Sequence, residues 1–438
     1  MSASSLHVLV IGYVWPEPNS SAAGGHMMQI LESILARGWR VTFSSPAALS
    51  EFRADLPALG IAEQPIVLND SSFDRFVGEL APDVVLFDRF MMEEQFGWRV
   101  EQHCPNALRV LETSDLQSLR EARHVLLRRR LAEGLDPNDF RALFATSGPD
   151  LYRQMAPADL TQRELASIYR SDLSLMISDV EIDLLVNGFA VPPALLHWCP
   201  LMLKTPQTPA KTFAEREHFL SIGNFRHAPN WDAVLWMKHN IWPMIRRRLP
   251  EAQLHLYGAD TPPKATALHD PAGGFLILDR AEDALTVMGK ARVCLAPLRF
   301  GAGIKGKLTD AMLAGTPSVT TPIGAEAMHG ALPWPGLVST TAEGLAQAAV
   351  SLYSDETRWN QAQRDARRLL EARYDWHWHS TALVERIEQT LMQLADQRLY
   401  NFTGAMLRHH QHKSTRYMAQ WIEAKNRVSG GDAADTCP

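Results

Sequence analysis

The residues best suited to chemistry lie close together between Arg299 and Glu326. In the stretch RFGAGIKGKLTD, Gly301, Gly303 and Gly306 are interleaved with Arg299, Lys305 and Lys307. Glycines let a ligand approach backbone N–H groups, and the basic side chains add positive charge, so the stretch suits an anion. A phosphate or diphosphate is its natural ligand. A second reading is the P-loop of a nucleotide hydrolase, because Gly301–Lys307 fits G-x-x-x-x-G-K. Leu308 then stands where a Ser or Thr would hold Mg²⁺, and Thr309 comes one position late. A third reading is a glycine-rich turn with solvated lysines.

The flanking residues say how such a loop would be held. Ala291–Leu298 reads as a buried strand, Lys307–Ala314 as a helix stopped by Gly315-Thr316-Pro317, and Ser318–Pro322 as the next strand. This βαβ unit puts the loop at a strand's carboxyl end. Other strands of the second half are expected at His218–Ile222, Gln253–Tyr257 and Phe275–Leu278, with a helix over Trp231–Leu249.

The first half repeats the scheme. Strand Leu6–Ile11 leads into the loop Gly12–Gly25, then a helix over His26–Arg37 and strand Arg40–Ser44. Gly24 and Gly25 would let backbone approach a ligand at the helix start, although the loop lacks G-x-G-x-x-G. Strands are expected at Ile66–Leu68, Val84–Phe87, Leu108–Leu111 and Asp172–Ile177, with Ser114 or Asp115 capping a long polar helix that continues through Glu133. Pro- and Thr-rich Leu201–Thr212 reads as a linker. The expected division is residues 1–202 and 213–375 as two Rossmann-like α/β domains facing across a cleft. Residues 376–400 form a helical return to the first domain, and 401–438 a polar helical or disordered tail whose end, Ser429–Pro438, reads as disordered. Two such domains sharing a small interface would close about the linker.

The chain has 438 residues and a formal net charge of −6, with acids and bases mixed along most of it, which argues against a general nucleic-acid binder. Cys104, Cys199, Cys294 and Cys437 are far apart and form no C-x-x-C pair, so neither structural zinc nor a disulfide framework is expected and a cytoplasmic setting fits. No apolar run approaches membrane-spanning length. Arg128–Arg130 leave room for at most peripheral contact, possible at the inner membrane face. His409, His410, His412 and Lys413 read as a solvated tail rather than a metal cluster.

Three linked stretches, Phe219–Trp236 (FLSIGNFRHAPNWDAVLW), Ile241–Gly258 and Ala296–Met328, resemble the nucleotide-sugar-binding domain of retaining GT-B glycosyltransferases of family 4, the glycosyl transferases group 1. Pro16–Met27, Pro82–Phe90, Cys104–Arg120 and Asp172–Leu185 follow in family order. The resemblance implies transfer of a sugar from a nucleoside diphosphate to an acceptor hydroxyl or amide with retention, without metal or other cofactor. The acceptor (glycan, lipid-linked glycan, small molecule or protein) stays open, and a binding-only relative is the alternative.

Residue by residue, the resemblance assigns Lys305 and Lys307, with Arg299 nearby, to the donor diphosphate, supported by backbone N–H groups of Gly301 and Gly303. Asp310 replaces the Glu that accepts from ribose hydroxyls, and Glu326 would contact the nucleotide or sugar. Gly24 and Gly25 would close over the donor. Asp115 and Gln117 complete the catalytic side. Ala302 stands where the family's E-x7-E motif begins, and Gln117 where relatives with this loop carry His, so Gln117 can hydrogen-bond but not titrate.

Overall fold

Short apolar runs separated by amphipathic helices build two parallel sheets. The structure is a computed structural model that describes residues 5–141, 148–259 and 261–431. In the first sheet β1 (His7–Ile11), β2 (Arg40–Ser45), β3 (Ala62–Pro65), β4 (Val84–Asp88), β5 (Leu108–Glu112), β6 (Leu173–Met176) and β7 (Leu196–Trp198) run in the order β3-β2-β1-β4-β5-β6-β7. In the second, β8 (Glu217–Ile222), β9 (Leu254–Tyr257), β10 (Phe275–Leu278), β11 (Ala291–Ala296), β12 (Ser318–Thr320) and β13 (Gly336–Val338) run β10-β9-β8-β11-β12-β13. Helices cover both faces, which is why β4 and β5 are buried along their whole length.

Each sheet reverses its winding once, between β1 and β4 and between β8 and β11. The crevice outside the carboxyl ends of such a pair is where open α/β sheets hold ligands. The loops after β8 and β11 are the GNFRH and glycine-rich stretches, so the topology brings two distant sequence segments to one crevice.

Three local expectations are corrected. The first helix begins at Ala22, not His26, because the Ser21 hydroxyl accepts the Gly24 N–H at 3.0 Å and caps it there. Gly24 and Gly25 therefore lie in its first turn rather than in the loop. The strand expected at Ile66–Leu68 is displaced to Ala62–Pro65, a polar edge strand, and Val67 and Leu68 are exposed. The Trp231–Leu249 helix forms, but Pro243 lacks an N–H and a π turn over Met237–Ile241 absorbs the break.

The domains share more than a small interface. The helix Gln117–Ala132 itself reaches the second sheet: its Leu126 and Leu127, and Phe140 beyond its end, join the core that contains Phe219, Trp236 and Trp242. The Phe140 N–H donates to the Thr340 carbonyl at 3.0 Å. Such an apolar seam restrains the free closure expected of two lightly touching domains. The chain crosses between the domains again at Leu203, whose N–H donates to the Tyr374 carbonyl at 2.7 Å and whose carbonyl accepts from Trp376 N–H at 3.1 Å.

The helix Trp376–Met392 returns to the first sheet, burying Leu383, Val384 and Ile387 with Val8 and Val10. The helix Leu394–Tyr400 follows it, held by Asp172. That buried carboxylate accepts from Arg398 Nε at 2.8 Å and Nη2 at 2.7 Å and from the Arg109 backbone N–H at 2.9 Å. A last helix spans Phe402–Gly431. The side chains of His410, His412 and Lys413, like residues 432–438, lie outside the described residues.

Candidate active site

At the end of β11 the chain passes through Gly301 and Gly303 into the helix Gly306–Leu313, with Lys305 as the residue before its first turn. Gly303 has φ +61°, and a Cβ there would approach Asp115 Cβ to 2.9 Å, so both backbone conformation and space require glycine. A Cβ on Gly306 would collide with Ala22 of the first domain. Ala22 and Gly306 each begin a helix, so two positive helix ends meet across the cleft.

Lys305 is buried, and its Nζ donates to the Gly303 carbonyl at 2.6 Å. Burial lowers its pKa, while Glu326 pulls the other way. Half-buried Lys307 donates to Asn230 Oδ1 at 2.7 Å, and burial brings its ammonium down to about 8. Asp310, within the same helix, is pushed up to about 7 by burial and by repulsion from Asp283. Ser221, Gly223, Asn230, Tyr257 and Lys307 line a narrow crevice between the ends of β8, β9 and β11.

Arg299 is placed differently from the two lysines. Its guanidinium pairs with Asp232, the Nε–Oδ2 contact being 2.7 Å, and lies over the Phe140 and Trp236 rings. It is built into the seam between domains.

On the first-domain side, Ser114 takes φ +59° and gives its N–H and hydroxyl to Glu112 at 2.8 and 2.9 Å. Glu112 is fixed in turn by buried His26, 3.4 Å away. This turn presents Asp115, which pairs with Arg120, against Gly303. Neither Ser114 nor Asp115 caps the following helix. Glu164 does so from the helix Asp159–Arg170, accepting the Gln117 and Ser118 N–H groups at 2.9 and 3.1 Å. Among the described residues the Gln117 amide makes a single long contact, with Met91 Sδ at 4.0 Å.

Two further first-domain residues complete the site. Arg123 holds both oxygens of Glu326 at 2.7 Å and the Gly301 carbonyl at 2.8 Å. Burial works to raise Glu326, but Arg123 outweighs it and keeps the carboxyl below its ordinary value. Glu181 was missed from the sequence, where the Ser178-x-x-Glu181 spacing marks no more than a helix start. Its N–H does bond Ser178 Oγ at 3.2 Å, but its carboxylate crosses the cleft and accepts the Gly303 N–H at 2.6 Å. Burial, then Asp115, pushes it up to about 8.

Lys305, Glu326, Glu181, Asp115 and the glycine backbone thus converge, with Lys307 and Asp310 on the adjoining helix and Gly24 and Gly25 in the helix opposite. Beside Glu326 opens a cavity of about 700 Å³, lined by Asp179, Asp183, His329 and Trp334 among others. Among the described residues no group of three His, Cys, Asp or Glu side chains could hold a metal ion, and no described helix is long and apolar enough to cross a membrane.

Residues 216–355 match the family model for glycosyl transferases group 1. That segment holds the whole second sheet and both lysines. No curated protein matches the chain. Sucrose-phosphate synthase from Thermosynechococcus elongatus superposes with a TM-score of 0.61 at 13% identity, over 88% of this chain and 98% of that one. A Rickettsia africae glycosyltransferase gives 0.61 at 10% identity, over 89% and 99%. Anabaena HepE in complex with UDP-glucose gives 0.60 at 12% identity, over 88% and 100%. The fold is the two-domain GT-B fold of these glycosyltransferases.

Proposed function

We propose that this protein transfers a sugar from a nucleoside-diphosphate donor to an acceptor hydroxyl or amide with retention of configuration. The observation that carries the reading is the cationic pocket at the β8/β11 switch point, where Lys305, Lys307, the glycine backbone and two helix N-termini meet. As the bond from sugar to diphosphate breaks, negative charge grows on the leaving phosphate. Fixed cations and N–H dipoles in a dry site stabilise that charge more than they stabilise the bound donor, which lowers the barrier. Asp310 and the crevice beside Lys307 take the nucleoside end, and Glu326, oriented by Arg123, accepts from sugar or ribose hydroxyls. The leaving diphosphate receives the acceptor's proton.

HepE was solved with UDP-glucose, which makes that compound the first donor to test. Nucleoside diphosphate release from a panel of nucleotide sugars should proceed in EDTA, because side-chain and backbone charges occupy the role a metal plays elsewhere. Loss of all release in EDTA, restored by Mn²⁺, would argue against the assignment.

The carboxylate of Glu181 competes with a donor for the Gly303 N–H once it is ionised. Below about pH 8 it is mostly neutral; above that it carries charge. Glu181→Gln should therefore leave nucleoside diphosphate affinity near wild type at pH 7 and tighten it about tenfold at pH 9, roughly 1.4 kcal/mol. Calorimetric titrations at both pH values check this; equal affinities at pH 9 would remove Glu181 from the donor site.

A binding-only reading is favoured by one observation, the Gln117 amide, which cannot titrate. If this side chain only hydrogen-bonds the sugar, Gln117→His should change turnover by less than about tenfold. A gain of a hundredfold would identify the native protein as a poor catalyst.

A further inference from the structure

Among its described side chains, the last helix, Phe402–Gly431, is held to the body through Arg408, Ala419 and Glu423, whose Oε1 accepts the Ser71 N–H at 3.3 Å. At its start Asn401 Nδ2 donates to the Tyr169 carbonyl at 2.7 Å. Arg408 reaches the Arg170 carbonyl and Glu101, and Ala419 is buried. At 100° per residue, Phe402, Met406, Tyr417 and Trp421 project from the opposite side. They are exposed, Phe402 by 74% and Trp421 by 60%, and Leu399 and Tyr400 (85%) extend the stripe into the preceding helix.

The charge on this helix runs against that of the chain. Its sequence carries Arg408, Lys413, Arg416, Lys425 and Arg427 against one acid, Glu423, in a protein of net charge −6. Arg416 and Lys425 are exposed, and the Lys425 ammonium lies 5.3 Å from the Trp421 ring centroid. Aromatic rings with polar tips, interleaved with long basic side chains on one helix face, match the chemistry of the water–lipid boundary. A second copy of the chain fits less well, because a two-fold contact through this stripe would set its basic residues against each other.

We infer that the outward stripe of the helices Leu394–Tyr400 and Phe402–Gly431 docks this protein on an anionic lipid surface, lying in the plane of the headgroups. The apolar side chains enter the boundary, and Arg416 and Lys425 meet lipid phosphates. This inference does not depend on the glycosyltransferase reading.

The test is flotation of the full chain with vesicles of phosphatidylcholine alone or with 30% phosphatidylglycerol, at about 0.1 M salt. Wild type should float with the anionic vesicles, shift its tryptophan emission to the blue, and release as salt rises. The triple variant Phe402→Ser/Tyr417→Ser/Trp421→Ser should lower partition at least about tenfold on both vesicle types. Arg416→Glu/Lys425→Glu should abolish the preference for phosphatidylglycerol while keeping residual binding. All these side chains are exposed, and unchanged thermal melting of each variant would confirm that the fold is intact. Absence of wild-type flotation on anionic vesicles would overturn the inference, as would flotation that neither variant weakens. A dimer in solution scattering that the triple variant splits would assign the stripe to a second copy instead.

Discussion

Lys305→Ala and Lys307→Ala should each lower kcat/KM by on the order of 10²-fold while the protein stays folded. A cation aimed at charge that develops only in the transition state is worth roughly 2.7–4 kcal/mol when removed. Neither lysine holds the fold together. Lys305 bonds a loop carbonyl, and Glu326 keeps its Arg123 partner without it. Lys307 bonds a single Asn side chain. The pH profile supplies an independent readout. With its free-enzyme pKa brought down to about 8, Lys307 is charged below that value and neutral above it. kcat/KM should therefore fall as pH rises through about 8, since this ratio reports free-enzyme ionisations. In Lys307→Ala that part of the alkaline fall should vanish. Glu181→Gln should remove the part due to Glu181. Near-normal kcat/KM in the double lysine variant would displace the donor from this loop.

The largest stability effect is expected at Asp172. Its buried carboxylate ties Arg109 of β5 to Arg398 of a helix more than two hundred residues away, and Arg398 also donates to the Pro105 and Ala107 carbonyls at 2.6 and 2.7 Å. Removing Asp172 leaves the buried Arg109 guanidinium with the more distant Glu101, 3.7 Å away, a loss of up to about 3–5 kcal/mol. Asp172→Ala should therefore move the urea midpoint well down and expose the chain after Met392 to protease. Burial alone would raise the Asp172 pKa, but Arg109 and then Arg398 outweigh it and hold the carboxyl below its ordinary value. That sign makes its contribution complete above the unfolded value near 3.9 and lost as pH falls through the folded one. The difference between wild type and Asp172→Ala should shrink below about pH 4. A midpoint within 0.5 M urea of wild type would show that the return of the chain rests on other contacts.

The glycine loop was legible because everything that defines it is local: a strand, three glycines, two lysines and a helix stop within about thirty residues. The inner strands of both sheets were legible for the same reason, through short apolar runs, whereas the three-residue edge strands β7 and β13 were not expected. The contacts that assemble the site were not, since they join residues from 47 to 203 positions apart. Nothing near Glu181 in sequence announces Gly303, and nothing near Arg123 announces Glu326. Phe140 follows the polar run Asp136-Pro137-Asn138-Asp139 and nothing local says which core it joins, yet it fills the second domain's core and takes Arg299 with it. Glu112 ends an apolar strand with a carboxylate, a local oddity that does point to the turn carrying Asp115. The edge strand β3 was misplaced because an edge needs only one ladder of hydrogen bonds and no apolar run.

The most direct test of the account is calorimetric titration of nucleoside diphosphates and their sugars, UDP-glucose first, into wild type and Lys305→Ala in EDTA at pH 7. At least one donor should bind the wild type, and its nucleoside diphosphate should compete with it. The lysine variant should bind either at least about tenfold more weakly, a loss of 1.4 kcal/mol or more. Wild type that binds no nucleotide sugar across the panel, or Lys305→Ala that binds its donor with full affinity, would contradict it.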